Sequence, residues 1–224
     1  MGAQDLYNDA MDWNGIETIL LDLDGTLLDR AFDDHFYYEL LPGRYAAANA
    51  MSLDAAREKL TTLYRSVEGE LDWTDLDYWT RTLGLDVPEI KRSVRHHIRP
   101  HPDAFEFLTF LRDRKVRVYL VTNAHPKALA IKMEQTGLDQ YMDRTITAFE
   151  VGCLKLKPDY WAKSQLILGF NPAATLYVDD DETALASAES HGIKHLFLRA
   201  NPSSALPSQP STIYRSIESF HDLM

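Results

Sequence analysis

The feature that most constrains the fold of this chain is a repeated order along the sequence. Short apolar runs, each ending in polar residues, alternate with segments that have the pattern of helices. An apolar run of four to six residues that contains β-branched side chains is typical of a strand buried on both faces. Strands that alternate with helices favour a parallel sheet covered by helices. The sequence therefore predicts an α/β fold with a doubly wound parallel sheet.

Five strands and four helices follow from this pattern. The predicted strands are Ile16–Leu21, Val116–Val121, Thr145–Phe149, Thr175–Val178 and His195–Leu198. The predicted helices are Pro102–Arg114, Pro126–Thr136, Asp159–Leu168 and Glu182–His191. Three of the helices are followed by glycine, the residue that commonly ends a helix.

One interval interrupts the alternation. Residues 30–99 contain helix-like patterns but no convincing strand, and Pro100-His101-Pro102 has the character of a rigid return hinge. The helix-like stretches are Ala31–Leu41, Leu53–Val67 and Leu76–Leu83. We expect residues 15–29 and 100–200 to form the sheet domain, with residues 30–99 as an inserted all-helical domain. Residues 201–224, rich in Pro and Ser, are expected to form an extended C-terminal segment.

Charge and cysteine content exclude several classes of protein. The chain has 34 acidic and 23 basic residues and a net charge of −11, which argues against nucleic acid or an anionic membrane as a partner. Its single cysteine, Cys153, permits no intramolecular disulfide and argues against a cysteine-based zinc site. Residues 1–14 have no apolar core and do not resemble a signal peptide. A reducing compartment, the cytoplasm, is the expected location.

Three predicted strands end in polar clusters that carry the candidate chemistry. These clusters are Asp22 with Asp24, Thr122 with Asn123, and Asp179 with Asp180. Ligands of open parallel sheets bind at the carboxyl ends of the strands, so these side chains should converge. Converging carboxylates repel one another unless a cation lies among them, and oxygen-only ligands suit Mg²⁺.

The spacing of Asp22 and Asp24 favours a pair with two different roles. Both side chains project to the same side if the strand continues through them. One carboxylate could attack phosphorus, as in enzymes that form an aspartyl-phosphate, and the other could serve as general acid and base. Gly25 then permits a sharp turn of the backbone.

At these residues the chain resembles a known family. Asp22–Leu27, Glu150–Lys155 and Val178–Asp181 are similar, in this order, to signature motifs of the haloacid dehalogenase (HAD) superfamily. The resemblance runs from Ile16 to about Leu198 and implies a HAD-like Rossmannoid core in which the helical insert is a mobile cap.

The resemblance also implies roles for individual residues. It makes Asp22 the nucleophile and Asp24 the general acid and base, and it places Thr122 and Lys155 on the transferring phosphoryl group. Asn123 is a further candidate for substrate binding. It further implies Mg²⁺, held by the Asp22 carboxylate, the Asp24 main-chain carbonyl and Asp180.

A closer resemblance concerns the substrate. Leu28–Asp33, Leu76–Trp79 and Thr122–Pro126 together are similar to the bacterial GMP/IMP-type 5′-nucleotidase branch. This implies a small phosphorylated metabolite, a purine nucleoside monophosphate, as substrate.

Two assignments within the motifs need a choice. Lys157 precedes proline, as the family's lysine commonly does, but the spacing from Gly152 and Trp161 favours Lys155. In the acidic motif, counting back from Gly192 makes Asp180 the direct metal ligand and Asp179 its helper. Asp181 is then a helix N-cap.

Several other residues have more than one interpretation. His125 either contacts the substrate or simply begins a helix, and Cys153 is better interpreted as a small loop residue than as a nucleophile. The basic stretch from Lys91 to Arg99 favours a solvated helix face or a contact between the two domains. Phe32 and Asp33 are the insert's better candidates for substrate contact. Neither Lys59 nor Lys91 is marked by the sequence as desolvated.

The sequence thus favours a Mg²⁺-dependent phosphomonoesterase and leaves alternatives. A sugar-phosphate phosphatase and a β-phosphoglucomutase-like phosphomutase share the same motifs. A dehalogenase would not need Asp24, and a phosphonatase would need a Schiff-base lysine in the cap. A phosphate-sensing protein similar to a response-regulator receiver is the alternative from another class. Oligomeric state stays open.

Overall fold

A computed structural model describes residues 11–224 of the chain. Its single sheet consists of β1 (Thr18–Leu21), β2 (Arg117–Thr122), β3 (Arg144–Thr147), β4 (Thr175–Asp179), β5 (His195–Arg199) and β6 (Arg215–Ile217). The spatial order is β3-β2-β1-β4-β5-β6, and every neighbouring pair is parallel. The predicted parallel α/β sheet is confirmed. Most of the segment interpreted as lacking a signal peptide, residues 1–10, lies outside the described residues.

The described helices fall into an insert group and a sheet group. In chain order they are α1 (Ala31–His35), α2 (Leu41–Ala48), α3 (Leu53–Ser66), α4 (Leu76–Leu83), α5 (Val87–Ser93), α6 (Ala104–Arg114), α7 (Pro126–Thr136), α8 (Ala148–Val151), α9 (Pro158–Leu168) and α10 (Glu182–Ser190). Short 3₁₀ turns and one π-helical stretch, Phe36–Leu40, connect some of them. In residues 11–224, no helix is both long and apolar enough to cross a membrane.

The sheet is buried on both faces, as its apolar strands require. Ile19 of β1 belongs to an apolar cluster that includes Phe107 of α6. Leu20, the next residue, belongs to a second cluster that includes Trp161 of α9 and Leu185 of α10. Successive strand residues point to opposite faces, so helices pack on both sides of the sheet and the fold is doubly wound.

The insert packs mainly around its own apolar side chains. Phe36, Leu60 and Trp79 are completely buried together, and Ala128 of α7 joins this cluster from the sheet side. The two ends of the insert lie side by side: Asp29 donates its main-chain N–H to Arg99 O at 2.9 Å, and His101 donates to Leu27 O at 2.9 Å. The chain therefore leaves and re-enters the sheet region at one place. The exact domain boundaries stay a prediction.

Two expectations about secondary structure are wrong in part. Strand β3 ends at Thr147, and α8 begins at Ala148, because the Thr147 hydroxyl caps that helix by accepting from Glu150 N at 3.2 Å. The C-terminal segment is more than an extended tail, since Arg215–Ile217 adds β6 to the sheet edge. Phe220 then stacks on Phe107 at a centroid distance of 4.5 Å, and its burial holds the terminus on the sheet domain.

Candidate active site

Three neighbouring strands end at a cleft of about 940 Å³ that is also lined by residues of the insert. Asp22 directly follows β1, Thr122 is the last residue of β2, and Asp179 is the last residue of β4. Because β1 lies between β2 and β4, the carboxyl ends of these strands bring the three residues to one place. All three line the cleft.

Asp22 and Lys155 form a buried ion pair at the bottom of the site. The Lys155 ammonium contacts the Asp22 carboxylate and lies 2.5 Å from Asp179 Oδ2, so one cation bridges two carboxylates. Burial raises the pKa of Asp22 well above its usual value; Lys155 opposes this shift, and the charges of Asp179 and Asp180 add to it. Burial alone would lower the pKa of Lys155, but the charges of Asp179 and Asp22 raise it.

The main chain of Lys155 is fixed on both sides. Its N–H donates to Asn123 Oδ1 at 3.0 Å, and its carbonyl accepts from Trp161 Nε1 at 3.0 Å. Thr122 and Asn123 line the cleft, and the Thr122 hydroxyl accepts from Ala124 N at 3.0 Å. Lys157 instead lies on the surface, 3.2 Å from Glu70 Oε1. The structure thus brings Lys155, and not Lys157, to the predicted site.

An acidic cluster beside this ion pair could hold a metal ion. One carboxylate oxygen from each of Asp22, Asp179 and Asp180 lies within 4.8 Å of the others. Burial and the charge of Asp179 raise the pKa of Asp180 to about 7, although the guanidinium of Arg30, 2.6 Å from Asp180 Oδ2, opposes the shift. An all-oxygen donor set suits a hard divalent cation.

Gly25 makes room for the acidic cluster. Its φ is +94°, and a Cβ at this position would lie 2.6 Å from Asp180 Cγ. Asp181 lines the cleft but is not part of this cluster. Its carboxylate caps α10 by accepting from Thr183 N at 2.8 Å, so the expectation that it is an N-cap is confirmed.

Asp24 lies in the turn after β1, and its two carboxylate oxygens have different surroundings. Oδ2 lies 2.6 Å from the ammonium of Lys132, whereas Oδ1 is buried and has no hydrogen-bond partner within residues 11–224. Asp24 lines the cleft. Burial raises the pKa of Asp24, and Lys132 opposes that shift.

Lys91 differs from its sequence interpretation. It is 1% exposed, contacts Asp33, and lies 4.4 Å from the ring centroid of Phe36. Burial lowers its pKa, so the interpretation as part of a solvated helix face is wrong for this residue, whose desolvation the sequence does not mark. The alternative expectation, a contact between the two domains, holds for Arg92. Its guanidinium lies 2.5 Å from Glu134 Oε2 on α7 and so links the insert to the sheet domain.

Of the other candidate residues, some line the cleft and others do not. Asp33 lines the cleft, but Phe32 packs into the apolar cluster of the sheet domain and is not among the lining residues. His125 caps α7, its Nδ1 accepting from Lys127 N at 3.2 Å, and also lines the cleft. Burial raises the pKa of the Cys153 thiol, which is unlike a thiolate nucleophile.

Sequence reasoning missed two cations of the site, Arg30 and Lys132. Both line the cleft and contact acidic residues. A signal for Lys132 was present, because α7 buries Ala128, Ile131 and Lys132, which share one helical face. A lysine on the apolar face of a helix indicates a buried partner. Arg30 had no comparable signal.

Comparison with protein families decides the assignment. Residues 16–192 match the family model of haloacid dehalogenase-like hydrolases. The chain belongs to this family. Its site has the pattern described above, with carboxylates and a lysine meeting at the ends of parallel strands, so it is a hydrolase of the haloacid dehalogenase-like type.

Individual relatives of this hydrolase fit the same assignment. The chain is 33% identical over 212 residues to the GMP/IMP nucleotidase YrfG of Escherichia coli, covering 95% of this chain and 96% of that protein. It is 25% identical over 197 residues to an (S)-2-haloacid dehalogenase of Xanthobacter autotrophicus, covering 79% and 72% of the two chains.

A solved structure has the same fold. A HAD phosphatase from Thermococcus onnurineus superposes with a TM-score of 0.77 at 24% identity, over 93% of this chain and 96% of that one. At that identity the likeness concerns the fold.

Proposed function

We propose that this hydrolase is a Mg²⁺-dependent phosphomonoesterase of the 5′-nucleotidase kind, acting on a purine nucleoside monophosphate such as GMP or IMP. The observation that carries the proposal is the 33% identity to a GMP/IMP nucleotidase along nearly the whole chain. The chemistry of the site supports it, because a buried carboxylate in contact with lysine, that of Asp22, lies in the same cleft as a second carboxylate, that of Asp24.

In the first step, a carboxylate oxygen of Asp22 attacks phosphorus. A bond forms between that oxygen and phosphorus, and the bond between phosphorus and the 5′ oxygen of the nucleoside breaks. Protonated Asp24 gives its proton to the departing oxygen, so the nucleoside leaves as an alcohol. Lys155 offsets the negative charge of the transferring group, and Thr122 and Asn123 bind its oxygens.

In the second step, Asp24 acts as a base. It takes a proton from a water molecule whose oxygen attacks phosphorus, and the bond between phosphorus and Asp22 breaks. Inorganic phosphate leaves, Asp22 is again a carboxylate, and Asp24 is again protonated. The net reaction consumes one water molecule per phosphomonoester.

The charges at the site favour a metal ion. Three carboxylates meet there, while Lys155 is the only buried cation in contact with them in the described part of the chain, and Arg30 is partly exposed. When bound, Mg²⁺ would supply positive charge that reduces repulsion between Asp22 and an anionic substrate. Asp22, Asp180 and the main-chain carbonyl of Asp24 would hold it.

Aromatic side chains of the insert suit a purine base. Tyr38, which is 50% exposed, and Trp73 both line the cleft. Base stacking on an aromatic side chain contributes about 1–3 kcal/mol per base in nucleic-acid complexes. We propose that these rings bind the base.

We propose also that residues 30–99 act as a cap on a core of residues 15–29 and 100–200. The single cysteine of the chain is consistent with an enzyme that works in the reducing cytoplasm.

One assay tests the proposed function. Phosphate release is measured with Mg²⁺ on a panel of purine and pyrimidine monophosphates and sugar phosphates, and halide release is measured on a 2-haloacid, each beside Asp22→Asn. We expect multiple turnover on purine monophosphates by the wild type and none by the variant. Turnover limited to sugar phosphates would favour a sugar phosphatase, and isomerisation without phosphate release a mutase. No turnover on any substrate would favour a phosphate-sensing protein.

A further inference from the structure

Tyr177 is a completely buried residue of β4 that contacts both residues holding Lys155 in place from the sheet side. Its hydroxyl donates to Asp179 Oδ2, the oxygen that also lies 2.5 Å from the Lys155 ammonium. Its ring centroid lies 4.7 Å from that of Trp161, whose Nε1 donates to the Lys155 carbonyl. One side chain therefore connects the partner of the Lys155 ammonium with the partner of its main chain.

The carboxylate of Asp179 has a donor on each of its oxygens. Oδ2 accepts from the Tyr177 hydroxyl, and Oδ1 accepts from Asp181 N at 2.9 Å. Both donors belong to β4 or to the turn that follows it. With both oxygens engaged, the carboxylate has one preferred orientation, and the Lys155 ammonium meets Oδ2 at a place that the sheet determines.

The ammonium of Lys155 depends on such a partner because of the shape of its side chain. Lysine carries its charge at the end of a flexible four-carbon stem, so the hydrogen bonds of the Lys155 main chain do not fix the ammonium. Asp179 holds it next to Asp22. A charge that stabilises a transition state is effective only where it is preorganised, and a misplacement of about 1 Å can cost about 10²-fold in rate.

We propose that Tyr177 is a positioning residue for phosphoryl transfer: through its hydrogen bond to Asp179, it keeps the Lys155 ammonium in place for the transferring group. This inference rests on the proposed function, in which Lys155 offsets the negative charge of that group. Tyr177 is not among the residues that line the cleft, so it acts through Asp179 and does not touch the substrate.

A role in packing alone does not account for the hydroxyl of Tyr177. The ring belongs to an apolar cluster on one face of the sheet, which a phenylalanine would fill equally well. Burying a hydroxyl costs free energy unless it is hydrogen-bonded, and here its partner is a carboxylate of the site. Tyr160 offers a comparison, because it is equally buried and its ring centroid lies 5.2 Å from that of Trp161. In the described part of the chain, its hydroxyl makes no hydrogen bond with Asp179.

The test is a double-mutant cycle on kcat/KM for GMP with Mg²⁺. The wild type, Tyr177→Phe, Lys155→Met and the double variant are compared. We expect Tyr177→Phe to lower kcat/KM about tenfold in the wild-type background, because a hydrogen bond to a charged group is lost. In the Lys155→Met background the same substitution should change kcat/KM by less than about twofold, since residues that act as a unit are not additive. Looser packing would lower both backgrounds by the same factor.

Two further variants keep the test decisive. Tyr160→Phe is the matched control: it removes a hydroxyl beside Trp161 that does not bond to Asp179, and it should stay within about twofold of the wild type. Incorporation of p-aminophenylalanine at position 177 keeps the ring and an N–H donor, and it should recover most of the activity lost in Tyr177→Phe. If Tyr177→Phe fails to fold, the amino analogue, a weaker donor, is compared in the two backgrounds instead.

Failure of this inference is distinguishable from failure of the proposed function. Wild-type turnover that requires Asp22, together with equal losses from Tyr177→Phe in both backgrounds or no loss in either, overturns the positioning role alone. A loss in Tyr160→Phe as large as in Tyr177→Phe overturns it as well. Absence of wild-type turnover on GMP and on every other monophosphate overturns the proposed function, and the inference with it.

Discussion

The ammonium of Lys155 contacts the carboxylate of Asp22 although the two residues are 133 positions apart in the chain. The contact exists because β1 and β4 are neighbours and the loop that carries Lys155 reaches the end of both strands. With Asp179 on its other side, Lys155 keeps two buried carboxylates close together. The charge of this lysine is therefore central to both the stability and the chemistry of the site.

The first prediction follows from that contact. Lys155→Met should lower kcat/KM for phosphomonoester hydrolysis by about 10²–10³-fold, the usual cost of removing one preorganised electrostatic partner. Lys157→Met is the matched control, since Lys157 is exposed and pairs with Glu70. It should stay within about twofold of the wild type, because exposed ion pairs contribute little. Steady-state kinetics of both variants, with circular dichroism to verify folding, checks the prediction; the reverse order of effects would transfer the role to Lys157.

The second prediction concerns the space beside Gly25. Gly25→Ala would put a Cβ 2.6 Å from Asp180 Cγ, so Asp180 must move and divalent-cation affinity should fall. Gly15→Ala is a control for backbone strain alone: its φ is +83°, and a Cβ at this position would have no heavy atom within 4 Å beyond its chain neighbours. Both variants should lose about 1–2 kcal/mol from the left-handed backbone. Calorimetric titration with Mg²⁺ should show weaker binding only for Gly25→Ala, and equal affinities in the two variants would contradict the account.

The third prediction concerns a buried ion pair far from the cleft. Arg199 of β5 donates to both oxygens of Asp103, at 3.1 and 3.2 Å, and Phe220 N donates to the same carboxylate at 2.6 Å. Asp103→Ala would leave the Arg199 charge buried without its partner and should lower the free energy of unfolding by about 3–5 kcal/mol. Asp113→Ala, an exposed position on α6, should change it by less than about 0.5 kcal/mol.

The pH dependence of this effect has a definite sign. Burial would raise the pKa of Asp103, but its hydrogen bonds and the charge of Arg199 lower it below the usual value of 3.8. A lowered pKa means that the unfolded state takes up the proton first, so stabilisation is present above pH 3.8 and is lost as the pH falls through the folded-state pKa. Urea unfolding at several pH values should give a destabilisation by Asp103→Ala that shrinks below that pH. A destabilisation that grows on acidification would be inconsistent with this pair.

The fourth prediction concerns recognition of the base. Tyr38→Ala should raise KM for a purine nucleoside monophosphate about tenfold, because it removes a stacking surface worth about 1–3 kcal/mol. KM for ribose 5-phosphate, which has no base, should not change. Tyr38→Phe retains the ring and should resemble the wild type on both substrates. An equal rise in KM for both compounds would show that Tyr38 has no role in recognising the base.

The sequence predicted the sheet and its catalytic edge better than it predicted the insert. Strands such as Thr175–Asp179 are short and wholly buried, with an acidic residue only at the end, so both their existence and their polar end are visible locally. Strand β6 was missed because Arg215–Ile217 is short and partly polar, and its pairing depends on β5 and on the burial of Phe220.

Residues of the site could be predicted only where a polar side chain ends or directly follows an apolar strand. Asp22, Thr122 and Asp179 follow or end apolar runs, which is a local signal. The pairing of Lys132 with Asp24 and Asp33 depends on how the insert lies against α7, and no local pattern contains that relationship. Lys91 was misinterpreted for the same reason, since its burial arises from rings and a carboxylate contributed by other parts of the insert.

The most direct test of the central claim is to trap the enzyme during turnover. The wild type is mixed with Mg²⁺ and GMP, quenched in acid within the first turnover, digested and analysed by mass spectrometry. The account predicts one added phosphoryl group on the peptide that contains Asp22, absent from Asp22→Asn treated identically. A wild-type enzyme that releases phosphate at full rate while no phosphoryl group is found on Asp22, or an Asp22→Asn variant that hydrolyses GMP normally, would contradict it.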